Sequence, residues 1–376
     1  MPTSDATYLH WVKRFSTARW NLVNSGILAV KWAELGVDPA LFEITGDNGY
    51  GWGPLVERIA ARYSAKPENV VIAQGASLAN FLVMGALLKP GDQVLMESPC
   101  YEPLYRAAQF LGAELRFFDR RFEDGYRVDP DRVARALTRR TRLVALTNLH
   151  NPTGVFLNDE TLRRVGEVAA RVGAWVLVDE AYQEFIPNAR PAFHLGDRFI
   201  STNSLTKVYG LGGLRCGWVL ASAEVAEHAR RVTNCVHGEG VLLGEIVSCV
   251  AFDRMDWLAE RTRLLMAANR PVLDSFLQEN RGCLECVPPD AGTICFPRLR
   301  HGSTHRDASE LALLLRQKYE TSVVAGHFFA APPGSPAGDC AHHLRLSFGS
   351  NTDTVREGLA RVSLALTDLC HGAAGS

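Results

Sequence analysis

The chain has 376 residues, a formal net charge of -1 and 22% charged residues. Its length exceeds what one hydrophobic core usually organises, so we predict one large domain and one smaller domain. Basic and acidic residues are interleaved, which argues against a nucleic-acid partner. The sequence contains no run of about 18 apolar residues and no apolar signal-peptide core, so we expect a cytoplasmic protein without a membrane partner.

The nine cysteines are scattered, and most of them lie within apolar segments. In a cytoplasmic protein we expect buried or unreactive thiols rather than disulfides. Cys283 and Cys286 have the spacing of a zinc-ligand pair, but no second close pair accompanies them. We therefore predict no metal site.

Seven short β-rich runs alternate with segments of helical spacing in the first part of the chain. The predicted strands are 70–73, 93–97, 113–118, 142–148, 174–179, 199–204 and 215–221. This alternation predicts a large α/β domain of three layers, αβα, around a seven-stranded, mostly parallel sheet. Only a short connection joins the last two strands, which leaves room for one of them to run antiparallel.

After about Asp253 the pattern changes to a long helical stretch, DWLAERTRLLMAANRPVLDSFLQ, and then to a smaller α+β pattern. We expect this helix to bridge two domains. The large domain is predicted over residues 40–265, and the small domain over residues 1–39 together with 266–376. The segment AAPPGSPAGD, 330–339, is rich in Gly and Pro and predicts a surface loop.

Ligands of such sheets bind at the carboxyl ends of the strands, so the polar residues that follow each strand are candidates. Gly75, Ala76 and Ser77 lead from the first strand into a helix whose free N–H groups favour an anion such as phosphate. A Ser-capped turn explains the same residues structurally. Tyr101 follows the second strand and either stacks on a ring ligand or packs in the core. Asn151 follows the fourth strand and is held extended by the next residue, a proline.

The fifth and sixth predicted strands end in further polar residues. Asp179 closes an apolar run, and a buried carboxylate needs a partner. Ser204, Thr206 and Lys207 end the sixth strand, and Arg215 opens the seventh after a glycine turn. The segment lacks the GxxxxGK[ST] pattern, and YGLGGLRCG fails GxGxxG because Arg215 stands where the third glycine belongs. As a set, these residues predict a site for a flat ring with a phosphate and a reactive aldehyde, which is pyridoxal 5'-phosphate (PLP).

The segments NPTG, DEAY and SLTKVYGLGGLR, in this order, are similar to those of the class I/II aminotransferases, which are PLP enzymes of fold type I. The resemblance covers about residues 40–350. It implies that Lys207 forms the internal aldimine with the cofactor and moves the Cα proton of the substrate. It implies that Asp179 pairs with the pyridine nitrogen, and Asn151 and Tyr182 with the ring oxygen. Its implied phosphate ligands are Gly75, Ala76, Ser77, Ser204, Thr206 and Arg215.

The resemblance also implies how a substrate is held. Arg345, in HLRLSFG, matches the arginine that binds the substrate α-carboxylate as a bidentate fork. Asn151 and the backbone of Gly26 are assigned to the same substrate site. Tyr50 is assigned there too, although its spacing departs from the family pattern. A homodimer is implied because the active sites of the family form at the subunit interface.

The leading interpretation is an aminotransferase that moves the amino group of an α-amino acid to a 2-oxo acid through aldimine, ketimine and pyridoxamine phosphate forms. The alternative is a PLP-dependent cyclase, eliminase or oxidase of an antibiotic pathway, because the N-terminal segment is similar to capreomycidine-synthase-like enzymes. A regulator with an aminotransferase-like sensor domain is disfavoured, since no helix-turn-helix pattern precedes the domain. The pocket candidates favour aromatic or medium apolar amino acids, and they are Trp20, Tyr50, Trp52 and His327.

Overall fold

The structure is a computed structural model that describes residues 6–301, 307–332 and 340–371. Its strands, numbered in chain order, are β1 Trp20–Asn21, β2 Val70–Gln74, β3 Gln93–Ser98, β4 Glu114–Asp119, β5 Thr141–Thr147, β6 Trp175–Asp179, β7 Phe199–Ser204, β8 Cys216–Leu220, β9 Leu284–Glu285, β10 Ile294–Cys295, β11 Arg298–Leu299, β12 Thr321–Ser322, β13 Val324–Ala325 and β14 Leu344–Ser347. Its helices are α1 Thr7–Phe15, α2 Trp32–Leu35, α3 Gly53–Arg62, α4 Ala76–Leu87, α5 Glu102–Phe110, α6 Pro130–Ala136, α7 Asp159–Ala170, α8 Ala223–Val236, α9 Leu242–Phe252, α10 Met255–Glu279, α11 Ala308–Lys318 and α12 Thr352–His371.

The central sheet has seven strands in the order β2-β8-β7-β6-β5-β3-β4. Six strands run parallel, and β8 runs antiparallel to both of its neighbours, β2 and β7. The seven-stranded, mostly parallel sheet predicted from the sequence is therefore confirmed, and β8 is the strand that reverses. Each observed strand lies within about one residue of its predicted bounds, because apolar runs of this length between turn residues are characteristic of strands buried on both faces.

Helices cover both faces of this sheet. On one face, α4, α5 and α8 pack against apolar side chains of the central strands. On the other face, α6 and α7 cover one half of the sheet and α3 and α9 cover the other half. Strands covered on both faces must be apolar throughout, and β3 is buried over its whole length. The result is the three-layer αβα arrangement.

The remaining strands form small sheets near the end of the chain. The strands β10, β14 and β13 form an antiparallel sheet, while β1 pairs in parallel with β12. A separate apolar core joins α10, α11 and α12 to this region, and it includes Leu22 from the N-terminal segment. We propose the domain division predicted above, because Leu22 and β1 attach the N-terminal segment to this second core. Most of the predicted loop at 330–339, namely residues 333–339, lies outside the described residues. Within the described ranges, no helix is long and apolar enough to span a bilayer.

A fully buried ion pair lies under the carboxyl edge of the sheet. Arg120 Nη1 lies 2.7 Å from Glu97 Oε2, and both side chains are completely inaccessible to solvent. The other Glu97 oxygen accepts hydrogen bonds from the backbone N–H and the hydroxyl of Thr147, at 2.7 and 2.6 Å. The Thr147 hydroxyl in turn accepts a hydrogen bond from the backbone N–H of Asn151 at 3.1 Å. The ion pair therefore supports the loop that carries Asn151.

Replacing one partner of this pair should destabilise the whole domain. In Arg120→Met the Glu97 carboxylate stays buried without its cation, which costs about 3 to 5 kcal/mol of unfolding free energy. We expect a clear fall in the denaturant concentration at the unfolding midpoint, measured by circular dichroism. The control is Arg140→Met, which removes an exposed partner of Glu114 and should leave the midpoint nearly unchanged. Equal midpoints for the two variants would contradict this role of Arg120.

Candidate active site

A cavity of about 440 Å³ opens at the carboxyl ends of the parallel strands. It lies where β5, β6 and β7 end and where α4 begins, which is the edge at which ligands of such sheets bind. Ten of the residues predicted for the site line this cavity: Ala76, Ser77, Tyr101, Asn151, Asp179, Tyr182, Ser204, Thr206, Lys207 and Arg215. The structure thus brings into one place side chains that are up to 139 positions apart in sequence.

The Lys207 amine lies inside the cavity, between Ser25 and Tyr182. Its Nζ donates a hydrogen bond to Ser25 Oγ at 3.1 Å and lies 5.9 Å from the centre of the Tyr182 ring. Burial lowers the pKa of Lys207, and the positive charges of Arg345 and Arg215 lower it further. A larger fraction of this amine is therefore neutral near pH 7 than for a solvent-exposed lysine, so it can act as a nucleophile and as a base.

Ser25 contacts both Lys207 and Tyr182. The Tyr182 hydroxyl donates to Ser25 Oγ at 2.7 Å, so one serine oxygen lies within hydrogen-bond distance of the phenol and of the amine. The neighbouring Gly26 lies beside Lys207, because a Cβ added at Gly26 would be 3.8 Å from Lys207 Cα. The segment is anchored by Ile27, whose N–H donates to the Lys207 carbonyl at 2.9 Å.

Asp179 lies at the buried floor of the cavity. Its carboxylate accepts hydrogen bonds from Asn80 Nδ2 at 2.7 Å and from the Ala181 N–H at 3.1 Å. The Asn80 carbonyl accepts from Thr202, which fixes the orientation of the amide. Burial raises the pKa of Asp179, and among the described residues no cationic side chain forms a salt bridge with it. The site therefore contains a desolvated carboxylate that a cationic ring nitrogen would stabilise.

The start of α4 and the guanidinium of Arg215 form an anion-binding corner. No side chain caps α4, so the N–H groups of Ala76 and Ser77 precede its first internal hydrogen bond. Arg215 Nη2 donates to the Gln74 carbonyl at 2.9 Å, which places the guanidinium beside Gly75. A Cβ at Gly75, where φ is +90°, would lie 2.4 Å from that nitrogen. The glycine therefore leaves space for the arginine next to the positive end of the helix dipole.

Arg345 lies behind the residues that line the cavity and is completely buried. It does not line the cavity itself, but its Nη1 donates to the side-chain carbonyl of Asn151 at 3.1 Å. Its Nη2 donates to Tyr8 Oη at 2.7 Å and to the Val23 carbonyl at 2.9 Å. Within the described part of the chain, its Nε is buried without a hydrogen-bond partner. A buried, unsatisfied N–H donor of this kind suits a carboxylate ligand.

Helix α1 forms a wall of the cavity that the sequence patterns did not assign. Leu9 and Lys13, one turn apart on this helix, both line the cavity. The Glu102 carboxylate accepts the backbone N–H groups of Thr7 and Tyr8 at 3.2 and 2.6 Å, and so fixes the start of α1. The amphipathic segment TYLHWVKRF was readable as a helix, but nothing local in it indicates a partner some 95 positions away.

The structure places several sequence candidates outside this cavity. Tyr50 is about half exposed, and its hydroxyl accepts a hydrogen bond from Asn234 instead of lying near Lys207 in the same chain. The predicted side-chain pocket of Trp20, Tyr50, Trp52 and His327 is not supported, because none of the four lines the cavity. As for metals, the described residues contain no group of three or more potential ligands that could hold an ion.

A three-layer αβα sheet with a partly buried lysine, a buried carboxylate and an anion corner at its carboxyl edge defines a fold type I PLP-dependent enzyme. The family described as "Aminotransferase class I and II" matches residues 48–362, and the chain belongs to this family. It is a PLP-dependent transferase, and PLP is its cofactor.

Proteins that are similar to this chain differ in their named reactions. Capreomycidine synthase of Streptomyces vinaceus is 29% identical, over 96% of this chain and 94% of its own length. Arginine–pyruvate transaminase of Pseudomonas aeruginosa is 29% identical, over 84% of this chain and 80% of its own. A solved PLP-dependent aminotransferase from Streptococcus suis superimposes with a TM-score of 0.87 at 24% identity, with 97% of each chain covered. The last of these supports the fold only.

The donor set of the cavity fits PLP. The uncapped N–H groups of α4 and the Arg215 guanidinium suit a phosphate dianion. The desolvated Asp179 carboxylate suits a protonated pyridine nitrogen, and the Lys207 amine suits an aldehyde. Tyr101 is partly buried beside Ser77, and desolvation raises the pKa of its phenol, so it stays neutral and can pack against a ring.

Adding a methyl group at Gly75 should weaken PLP binding. In Gly75→Ala the new Cβ displaces the Arg215 guanidinium, whose charge-assisted hydrogen bonds contribute about 1.5 to 3 kcal/mol, so we expect the Kd for PLP to rise about tenfold or more. The matched control is Gly173→Ala, where φ is +75° but nothing lies within 4 Å of the added Cβ. Titration of the apoenzyme with PLP, followed by absorbance, measures the Kd of each variant. Equal Kd values would contradict the anion corner.

Proposed function

We propose that this protein is an aminotransferase, which transfers the amino group of an α-amino acid to a 2-oxo acid. The observation that carries the proposal is the Lys207 amine, whose pKa is lowered by burial and which lines one cavity together with Asp179 and the anion corner. Family membership supports the transfer of nitrogenous groups, although a fold of this kind serves several reactions. The assignment of individual residues below is part of the proposal.

Lys207 both attaches the cofactor and transfers the proton. Lys207, whose pKa is lowered by burial, would hold the cofactor through its aldehyde, and its amine would be free to act as a base once the amino group of a substrate occupies that position. The freed amine then removes the proton from the substrate Cα and delivers it elsewhere on the same molecule. PLP, when bound, supplies an electron sink for the pair left at Cα.

Asp179 and the anion corner hold the cofactor in the orientation that this proton transfer needs. The Asp179 carboxylate keeps the pyridine nitrogen protonated, and Asn80 prevents the carboxylate from rotating away. Asn151 and Tyr182 donate hydrogen bonds to the ring oxygen. Gly75, Ala76, Ser77, Ser204, Thr206 and Arg215 bind the phosphate. These contacts retain the cofactor during the steps in which Lys207 is not bonded to it.

Arg345 binds the α-carboxylate of the substrate. Its buried Nε, which has no hydrogen-bond partner among the described residues, supplies one donor, and the hydrogen bond to Asn151 fixes the plane of the guanidinium. The backbone of Gly26 lies beside Lys207 on the same side of the cavity and forms part of this substrate site. Anchoring the carboxylate sets the direction of the Cα–H bond relative to the Lys207 amine.

We also propose a cytoplasmic homodimer. The segment 28–50 and the start of α9 expose large apolar side chains, among them Trp32, Ile44 and Val241. Ile44 is 88% exposed, which is unfavourable in water and suits burial by a second copy. In a dimer, Tyr50 on this surface would serve the partner's site rather than its own. Eight described cysteines are free thiols, which suits a reducing compartment.

In a second candidate function, the enzyme uses the same cofactor but catalyses a cyclisation or an elimination. The resemblance to capreomycidine synthase covers 96% of this chain and includes the N-terminal segment that contains Ser25. Ser25 lies against the Lys207 amine and the Tyr182 phenol, so it can influence which atom next receives the proton. A cyclase or eliminase would act on the side chain of its substrate and would need no 2-oxo acid.

The experiment that separates the two functions incubates the purified holoenzyme with a panel of amino acids, with and without 2-oxo acids. Products are identified by mass spectrometry. Transamination predicts one new amino acid and one new 2-oxo acid in equal amounts, and none without the acceptor. Turnover of an amino acid to a cyclised or eliminated product in the absence of an acceptor would replace this proposal with the second one.

Removal of the charge on Asp179 should slow the reaction. Asp179→Asn keeps the shape and the position of the side chain but cannot hold the ring nitrogen protonated, so we expect kcat to fall by about 100-fold or more. The control is Glu180→Gln at the next residue. Burial raises the pKa of Glu180 to about 8, so this group is already mostly neutral at pH 7, and its variant should keep most of the activity. Similar kcat values for the two variants would refute the role of Asp179.

A further inference from the structure

Helix α1 presents one face to the cavity, and that face ends in a positive charge. Leu9 and Lys13 are four residues apart, so they lie on the same side of the helix, and both line the cavity. Tyr8 packs edge-on against Tyr101 with ring centres 6.1 Å apart and bonds to Arg345. The helix therefore runs from the buried Arg345 outward along the cavity, and Lys13 lies about one turn further out than Leu9.

Several contacts hold α1 in this position. Glu102 accepts the first N–H groups of the helix and also lies 3.2 Å from Arg106 Nε, so its carboxylate is held in a fixed orientation. Trp11 packs on Phe328 with ring centres 5.3 Å apart. These contacts fix the backbone of Lys13 beside the cavity, and its side chain is exposed to solvent at the cavity wall.

The charges around the cavity are unevenly matched. Its charged lining residues are Lys13, Asp179, Lys207 and Arg215. In the proposed function, Asp179, Lys207 and Arg215 bind the cofactor. Lys13 has no role there and can contact the substrate. The Lys13 ammonium forms neither a salt bridge nor a side-chain hydrogen bond within residues 6–301, 307–332 and 340–371. The lining of the substrate side thus carries one cation without a matching carboxylate.

We propose that Lys13 binds an anionic group at the far end of the substrate side chain, so that the enzyme prefers acidic amino acids and their 2-oxo acids. This inference rests on the proposed function and names its substrate class. Arg345 holds the α-carboxylate at the inner end of α1, and Lys13 binds the second acidic group further out. Leu9 lies between them and contacts the methylene groups. A cationic side chain, such as the arginine named for one relative, would meet a like charge here.

Steady-state kinetics with isosteric substrates tests whether Lys13 recognises a negative charge at the end of the substrate side chain. Glutamate and glutamine differ in the charge of the terminal group, and their ratio of kcat/KM reports discrimination between them. We expect Lys13→Met to lower this ratio about five- to twentyfold through a higher KM for glutamate, while Lys13→Arg keeps it. The control Arg14→Met removes a neighbouring charge that does not line the cavity. An equal ratio in Lys13→Met and the native protein would overturn the proposal.

A binding measurement tests Lys13 independently of turnover. Titration of the holoenzyme with glutarate and with its monoamide, followed by the cofactor absorbance, compares two inert ligands of the same shape. Glutarate should bind more tightly, and Lys13→Met and added salt should remove the difference. Equal affinities for glutarate and the monoamide in the native protein would contradict the Lys13 site. If glutarate binds more tightly but the enzyme transfers no amino group, only the proposed reaction is refuted.

Discussion

The site depends on a close contact between two backbone segments, at Gly75 and Gly217. A Cβ at Gly217 would lie 2.5 Å from the carbonyl carbon of Gly75, so only glycine allows the two segments to meet. Because β8 returns antiparallel between β2 and β7, its first residues lie beside the last residues of both neighbours. This arrangement brings Arg215, Ser204 and the start of α4 to one corner. The anion-binding corner is therefore a consequence of one reversed strand.

Burial then gives these groups their chemistry. Lys207 and Asp179 lie in the same desolvated cavity, and burial shifts the pKa of each group toward its neutral form. The lower pKa makes the lysine amine a better nucleophile. The desolvated aspartate carboxylate interacts strongly with a cation placed next to it. The supporting shell, which includes Asn80 and the buried Glu97–Arg120 pair, keeps the loops in place. Helix α1 forms another wall of the cavity, and Lys13 on this helix is a cation without a carboxylate partner among the described residues.

Much of the fold and of the cofactor site could be predicted from the sequence. The seven strands follow from apolar runs, and the residues that line the cavity follow from polar positions at strand ends that the topology brings together, while their individual roles come from the family resemblance. The substrate side could not be predicted in this way. Tyr8 and Arg345 are 337 positions apart and meet only through tertiary packing. Likewise, the linear pattern does not show that Tyr50 bonds to Asn234 and does not line the cavity of its own chain.

The central claim is that Lys207 is the residue bonded to PLP, and one measurement tests it directly. Borohydride reduction of the holoenzyme fixes the cofactor to its lysine, and proteolysis with mass spectrometry locates the added mass. We expect the phosphopyridoxyl mass on the peptide that contains Lys207, its loss in Lys207→Ala, and no label on Lys13, the other lysine that lines the cavity. Label on another lysine, or label that persists in Lys207→Ala, would contradict it.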